Sequence, residues 1–167
     1  GPVQLTFARS EEPIMPLEVS ITRSSVTNET DRDKERTMGR KSVVPYGLYR
    51  VHGFINAKLA QRSGFSEEDL SLLWSGLRDM LDLDRSAARG MMAARQLIVF
   101  RHESDLGNAQ AHRLFDRVRV YRVNGNDELP VGDKRSHNWP PARSFSDYRI
   151  EVDDKHLPSG VLRVNPW

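Results

Sequence analysis

The sequence contains no cysteine. Disulfides, thiolate metal sites and cysteine nucleophiles are excluded together, and the composition fits a reducing cytoplasm. No apolar run approaches the ~18–20 residues that cross a bilayer, so no membrane is expected as a partner. The five histidines (His52, His102, His112, His137 and His156) show neither His-x3-His nor His-Glu-x-x-His spacing. His102 and His112, with no cysteine near them, make a poor metal pair, and surface histidines are the expectation. A Gly-x-Ser-x-Gly nucleophile elbow and the phosphate-cradling Gly-x4-Gly-Lys-[Ser/Thr] loop are both missing. No catalytic residue, metal or cofactor is therefore expected.

A surplus of one charge is also lacking. With 25 basic and 23 acidic residues the net charge is only +2, but the distribution is uneven. Arg36, Arg40, Lys41 and Arg50 occupy a stretch without a single acid, as do Arg85, Arg89 and Arg95. From Arg113 to Arg122 four arginines face one acid, Asp116. Acids collect in 29–35, 67–84 and near the end. Segregated charge of this kind is what an electrostatic footprint on a polyanion requires. The plainer alternative is ordinary solvated arginine.

The 167 residues, 38% hydrophobic and 29% charged, suit one globular unit large enough to bury a core. "VQLTFARS" alternates Val3, Leu5 and Phe7 with polar or small residues, which predicts a half-buried strand. From about Thr22 to Ser42 the chain is polar, longer than an ordinary connection, and expected to be a functional loop. "SVVPYGLYRVHGFIN" is β-prone but punctuated by Pro45 and Gly47. The clearest helix spans about Glu67 to Asp82, with Ser66 as cap and Asp69 completing a capping box. Its Leu70, Leu73, Trp74, Leu77 and Leu81 share one face and are expected in the core.

"ARQLIVF" reads as a strand, Asn108 to Phe115 as a short helix, and "RVRVYRV" as a strand with a basic-aromatic face of Arg117, Arg119 and Tyr121. Residues 124–142 read as a loop and "SFSDYRIEVD" as a last strand. The order predicts an α+β fold with an antiparallel sheet, compatible with a ferredoxin-like or RNA-recognition-type core.

Two chemistries remain. Asp31 and Asp33 lie in the long polar stretch, where carboxylates near bound nucleic acid could carry a metal ion for phosphodiester cleavage. That stretch offers neither a rigid scaffold nor a clear third ligand, so solvating charge is the expectation. Binding fits better: lysine and arginine neutralise phosphates without regard to sequence, and Met38, Tyr46, Tyr49 and Tyr121 could wedge or stack against bases.

The blocks "VQLTFARS", "PLEVSITR", "RTMGRKSVVPYGLYRVHGFI", "DRSAARG", "LIVFRHES" and "RSFSDYRI", in that order, resemble the repeated backbone subunit of type I-C CRISPR Cascade complexes. The resemblance runs over roughly Val3 to Val164. It implies an RNA-recognition-motif/ferredoxin-like palm with an antiparallel sheet and an extended β-hairpin thumb. By it, residues about 22–44 would be the thumb and about 45–167 the remaining palm with helical insertions. Members of that family carry a further segment before this point, so residues 1–167 are expected to be the C-terminal part of one backbone-subunit domain.

The implied function is structural. Copies stack head to tail along the CRISPR guide RNA and present it to target DNA, beside the handle-binding, large and small Cascade subunits, in the cytoplasm. The RNA-binding residues implied are Arg23, Arg36, Met38, Gly39, Arg40, Lys41, Arg85 and Arg89. Arg40 and Lys41 would supply charge, Gly39 close backbone approach and Met38 an apolar wedge. Related type III backbone subunits cut target RNA with a thumb aspartate, so a metal-dependent ribonuclease using Asp31 and Asp33 is the competing implication.

Overall fold

The structure, a computed structural model, describes residues 1–22, 38–87 and 89–167. Its fold is α+β, built from small antiparallel sheets and a few helices. The expected sheet is distributed, among the described residues, over five separate sheets held by six ladders.

Three of those ladders are nested. Strand β1 (Val3–Leu5) pairs with β6 (Gly53–Ile55), β2 (Arg9–Ser10) with β5 (Tyr49–Arg50), and β3 (Leu17–Thr22) with β4 (Met38–Val43). The bonds from Thr6 N to His52 O and from Glu11 N to Leu48 O extend the outer two ladders inward. Residues 3–22 and 38–55 are therefore the two arms of one interrupted hairpin. The register advances by one residue at each interruption. Phe7 and Ala8 oppose Val51 alone, and Glu12–Pro16 oppose the four residues Val44–Gly47.

Prolines 13, 16 and 45 lie in or beside the second interruption, where a missing N–H breaks a ladder at no further cost. The first acts as a β-bulge, which reverses the alternation of side chains beyond it. Of the half-buried face expected over Val3, Leu5 and Phe7, only Val3 is half-buried. Phe7 stands in the bulge and is 96% exposed, and Leu5 is exposed as well.

The arm 38–43 is also strand rather than loop, because Leu17–Thr22 provides a β-branched partner for it along its whole length. Residues directly opposite share a face in such a pair. Leu17, Val19 and Ile21 thus lie with Val43, Lys41 and Gly39, while Glu18, Ser20 and Thr22 lie with Ser42, Arg40 and Met38.

After β6, Asn56 caps α1 (Ala57–Ser63) by accepting from Leu59 N at 2.9 Å, and Gly64 ends it at φ +74°. Helix α2 (Glu67–Leu83) begins at Ser66 with the expected capping box: Asp69 N donates to Ser66 Oγ and Ser66 N to Asp69 Oδ2. Leu70, Leu73, Trp74, Leu77 and Leu81 share the half-buried face of the helix, but none is fully buried, so they are not the core positions expected of them. The Trp74 carbonyl accepts the indole N–H of Trp167 at 3.1 Å, which ties the end of the chain to this helix. Leu72 and Leu83, on another face of α2, stay exposed.

Strand β7 (Val99–His102) pairs with β11 (Val161–Val164), and α3 (Ala111–Phe115) leads into the only three-stranded sheet among the described residues. There β8 (Val118–Asn124) lies between β9 (Asp127–Pro130) and β10 (Tyr148–Val152). The expected loop over 124–142 thus contains a strand. A two-residue turn, Gly125-Asn126, returns β8 into β9, with Gly125 at φ +62° where an L side chain is disfavoured. The core sits on this sheet: Leu48, Val120 and Tyr148 are buried, with Tyr46, Val131, Ala142, Phe145 and Ile150 packed around them.

Candidate nucleic-acid interface

The hairpin arm 38–43 carries four of the expected contacts. Its strand geometry sends Arg40 and Lys41 to opposite faces. Arg40 lies beside Met38, which is 72% exposed. The Glu18 carboxylate is 3.8 Å from Arg40 with both side chains largely in water, a pairing that contributes little. Lys41 stands opposite Val19 among the aliphatic residues of the other face. Gly39 packs closely against its partner strand. A Cβ there would stand 3.3 Å from Ile21 Cγ1, so the glycine makes room for the isoleucine of the partner strand. Arg23 and Arg36, and also Asp31 and Asp33, lie outside the described residues.

Arg85 and Arg89 follow the C-terminal end of α2 and are already engaged. Arg85 Nη2 meets Asp82 Oδ1 at 2.7 Å and Arg89 Nη1 meets Asp84 Oδ1. The first two arginines of the acid-free stretch are thus paired with acids just before it.

Other arginines from the basic clusters hold the fold together. Arg122 is 6% exposed and sends Nη1 to both carboxylate oxygens of Glu12, at 3.1 and 2.9 Å. It also donates to the carbonyls of Pro140 and Asp147. Glu12 accepts the Tyr148 hydroxyl at 2.7 Å. Burial first, then that bond to a carboxylate, pushes the Tyr148 phenol well above its ordinary range. Beside Glu12, Glu11 accepts from Arg50 Nε at 2.5 Å. These two neighbouring acids fasten the chain just before β3 to the rest of the molecule. Arg117 donates to the carbonyls of Asp153, Lys155 and His156.

The basic-aromatic face expected on β8 is charge-balanced. Arg149, opposite Tyr121 and 4.3 Å over its ring, binds Glu128 at 2.7 Å and Glu151 at 2.9 Å. Both acids arrive from other strand positions, which sequence order conceals.

Arg95 differs from these. It is exposed, lies over the Phe145 ring at 4.4 Å from the centroid, and makes no ion pair or side-chain hydrogen bond among the described residues. The signal that separates it from Arg85 and Arg89 is its sequence distance from Asp82 and Asp84. Among the described residues no group of three or more His, Asp or Glu side chains is placed to hold a metal ion. His102 Nδ1 instead accepts from the Asn108 N–H at 2.9 Å, and the His52 ring stacks on Phe115 at 4.2 Å. No helix among the described residues is long and apolar enough to cross a membrane.

No curated protein matches the sequence. Compared with protein-family models, residues 1–153 match CRISPR-associated protein Cas7.

Proposed function

The chain belongs to the Cas7 family of CRISPR-associated proteins, which are CRISPR RNA-binding backbone subunits, and on that premise we propose that it is the repeated structural subunit of a type I-C Cascade. It stacks along the guide RNA with further copies of itself and presents the guide for pairing with target DNA. The handle-binding, large and small subunits complete the assembly, and the chain itself performs no catalysis. The observation that carries this reading is the hairpin of β3 and β4, a projecting arm with Arg40 and Met38 on one face and Lys41 among exposed aliphatic residues on the other. One face suits a phosphate backbone; the other suits a neighbouring protein surface.

Sequence recognition falls to base pairing with the guide, while the protein reads backbone and shape. Binding to single-stranded RNA is therefore expected to vary little with base sequence at fixed length and to weaken steeply with salt. Filter binding with two spacers of equal length and different sequence, across a salt series, tests this. A strong preference for one spacer refutes it. Incubating the same RNA with magnesium tests the ribonuclease reading of Asp31 and Asp33: the RNA should stay full length, and cleavage lost in Asp31→Ala or Asp33→Ala reverses the assignment.

A further inference from the structure

The three arginines of the acid-free stretch 85–95 separate by their partners. Arg85 and Arg89 are held by Asp82 and Asp84, whereas Arg95 has an aromatic ring for its support. A guanidinium placed over a ring keeps its five N–H donors and its charge, and loses part of the freedom that binding would otherwise remove.

The support is firm. Phe145 packs against the buried cluster of Leu48, Val120 and Tyr148, and its short 3-10 turn is closed by a capping box between Ser144 and Asp147. Tyr46 belongs to the same cluster, stacked on Tyr148 with ring centroids 6.4 Å apart. Burial pushes the Tyr46 phenol up, and the charge of Arg95 opposes that shift without reversing it. The hydroxyl stays protonated and can donate. Asp147, the acid that also bears on Tyr46, is itself engaged: its Oδ2 accepts the backbone N–H groups of Arg143 at 2.7 Å and Ser144 at 2.9 Å. Tyr46 stands three residues beyond the end of β4, so this ledge lies at the foot of the basic hairpin.

We propose that Arg95, mounted over Phe145 beside Tyr46, binds a phosphodiester of single-stranded RNA and continues the RNA track from the hairpin foot onto the sheet. The planar fork of arginine matches two phosphate oxygens. The inference rests on the guide-RNA reading and adds to it a contact that the basic clusters alone do not single out.

The test uses the full chain and a labelled, mixed-sequence single-stranded RNA, with affinity measured over a potassium chloride series and each variant's fold checked by its melting curve. Arg95→Ala should weaken binding about tenfold and lower the slope of log affinity against log salt by ~0.7, the value for one phosphate on a single strand. Arg95→Lys should keep the slope and lose part of the affinity, because it retains the charge without the fork. Arg78→Ala, which removes a guanidinium already bound at 2.7 Å by Asp79, should change neither. Wild-type affinity and slope in Arg95→Ala overturn the proposal and leave the guide-RNA reading standing. A lost slope in a folded Arg95→Lys overturns it too. Salt-independent binding, or none, by the wild type overturns the guide-RNA reading and this contact with it.

Discussion

Replacing Glu12 by alanine should lower stability more than any change to a surface ion pair. The substitution leaves the Arg122 guanidinium, 6% exposed, without the carboxylate it meets at 3.1 and 2.9 Å. Losing one partner of a buried pair costs about 3–5 kcal/mol. Arg122 keeps the Pro140 carbonyl at 2.8 Å and that of Asp147 at 3.3 Å, which argues for the low end, about 3 kcal/mol. For a chain of this length that amounts to ~6–12 °C in melting temperature.

Removing the other partner should cost less. In Arg122→Met the carboxylate left behind has a side chain 22% exposed and still accepts from Tyr148, so ~1–2 kcal/mol is expected. Glu12→Ala combined with Arg122→Met should cost well under the sum, since no uncompensated charge remains. Differential scanning calorimetry of the four proteins closes the cycle. Absorbance titration adds an independent signal: without Glu12 one cause of the raised Tyr148 phenol disappears, and its ionisation should move down. A shift of less than ~2 °C for Glu12→Ala, or additive costs in the double variant, would refute the buried pair as the anchor of this segment.

Reversing both charges of the hairpin, Arg40→Glu with Lys41→Glu, should weaken RNA-dependent assembly more than any histidine substitution, by on the order of 1–3 kcal/mol per contact. Normal assembly of this variant on RNA, followed by size-exclusion chromatography, removes the hairpin from the interface. Asp147 is held below the usual carboxylate range, chiefly by the Arg143 N–H and also by Ser144. A folded-state pKa lower than the unfolded one stabilises above the unfolded pKa and loses that contribution as pH falls through the folded value. The melting-temperature gap between wild type and Asp147→Asn should therefore be full near neutrality and shrink below pH ~4; a gap independent of pH contradicts this.

Local patterns carried the elements that local physics decides. The capping box at Ser66 and Asp69 and the apolar face of α2 follow from spacing within one helix, and the structure places them as the sequence implies. Strand β9 was missed because Asp127-Glu128-Leu129-Pro130 has no apolar alternation and is held through backbone bonds to β8. Its signal was the Gly125-Asn126 turn, a short-hairpin dipeptide.

Strand β4 read as loop since its charged residues hide a pairing with Leu17–Thr22. The ion pairs of Arg85 and Arg89 were legible in the sequence, from acids three and five residues away. The role of Arg122 was not, because its partner Glu12 lies 110 positions off. Cation clusters show where charge is dense along a chain, and only tertiary pairing shows which charges remain available to a ligand.

The nested pairing of residues 3–22 with 38–55 also sets which length changes the chain can absorb. Each pair in the three ladders fixes the offset between the arms, so adding or deleting a residue inside one arm slips every pair outside that point unless the other arm changes too. A slip of one turns side chains to the opposite face. Residues 23–37 connect the arms, and changing their number leaves every pair from Leu17–Val43 out to Val3–Ile55 in register. Epitope tags, fluorophore sites or altered reach toward a neighbour can be engineered there without re-pairing the arms. A single deletion at Phe7 or Ala8, or one within Glu12–Pro16, would bring into step two ladders that are now one residue out of register.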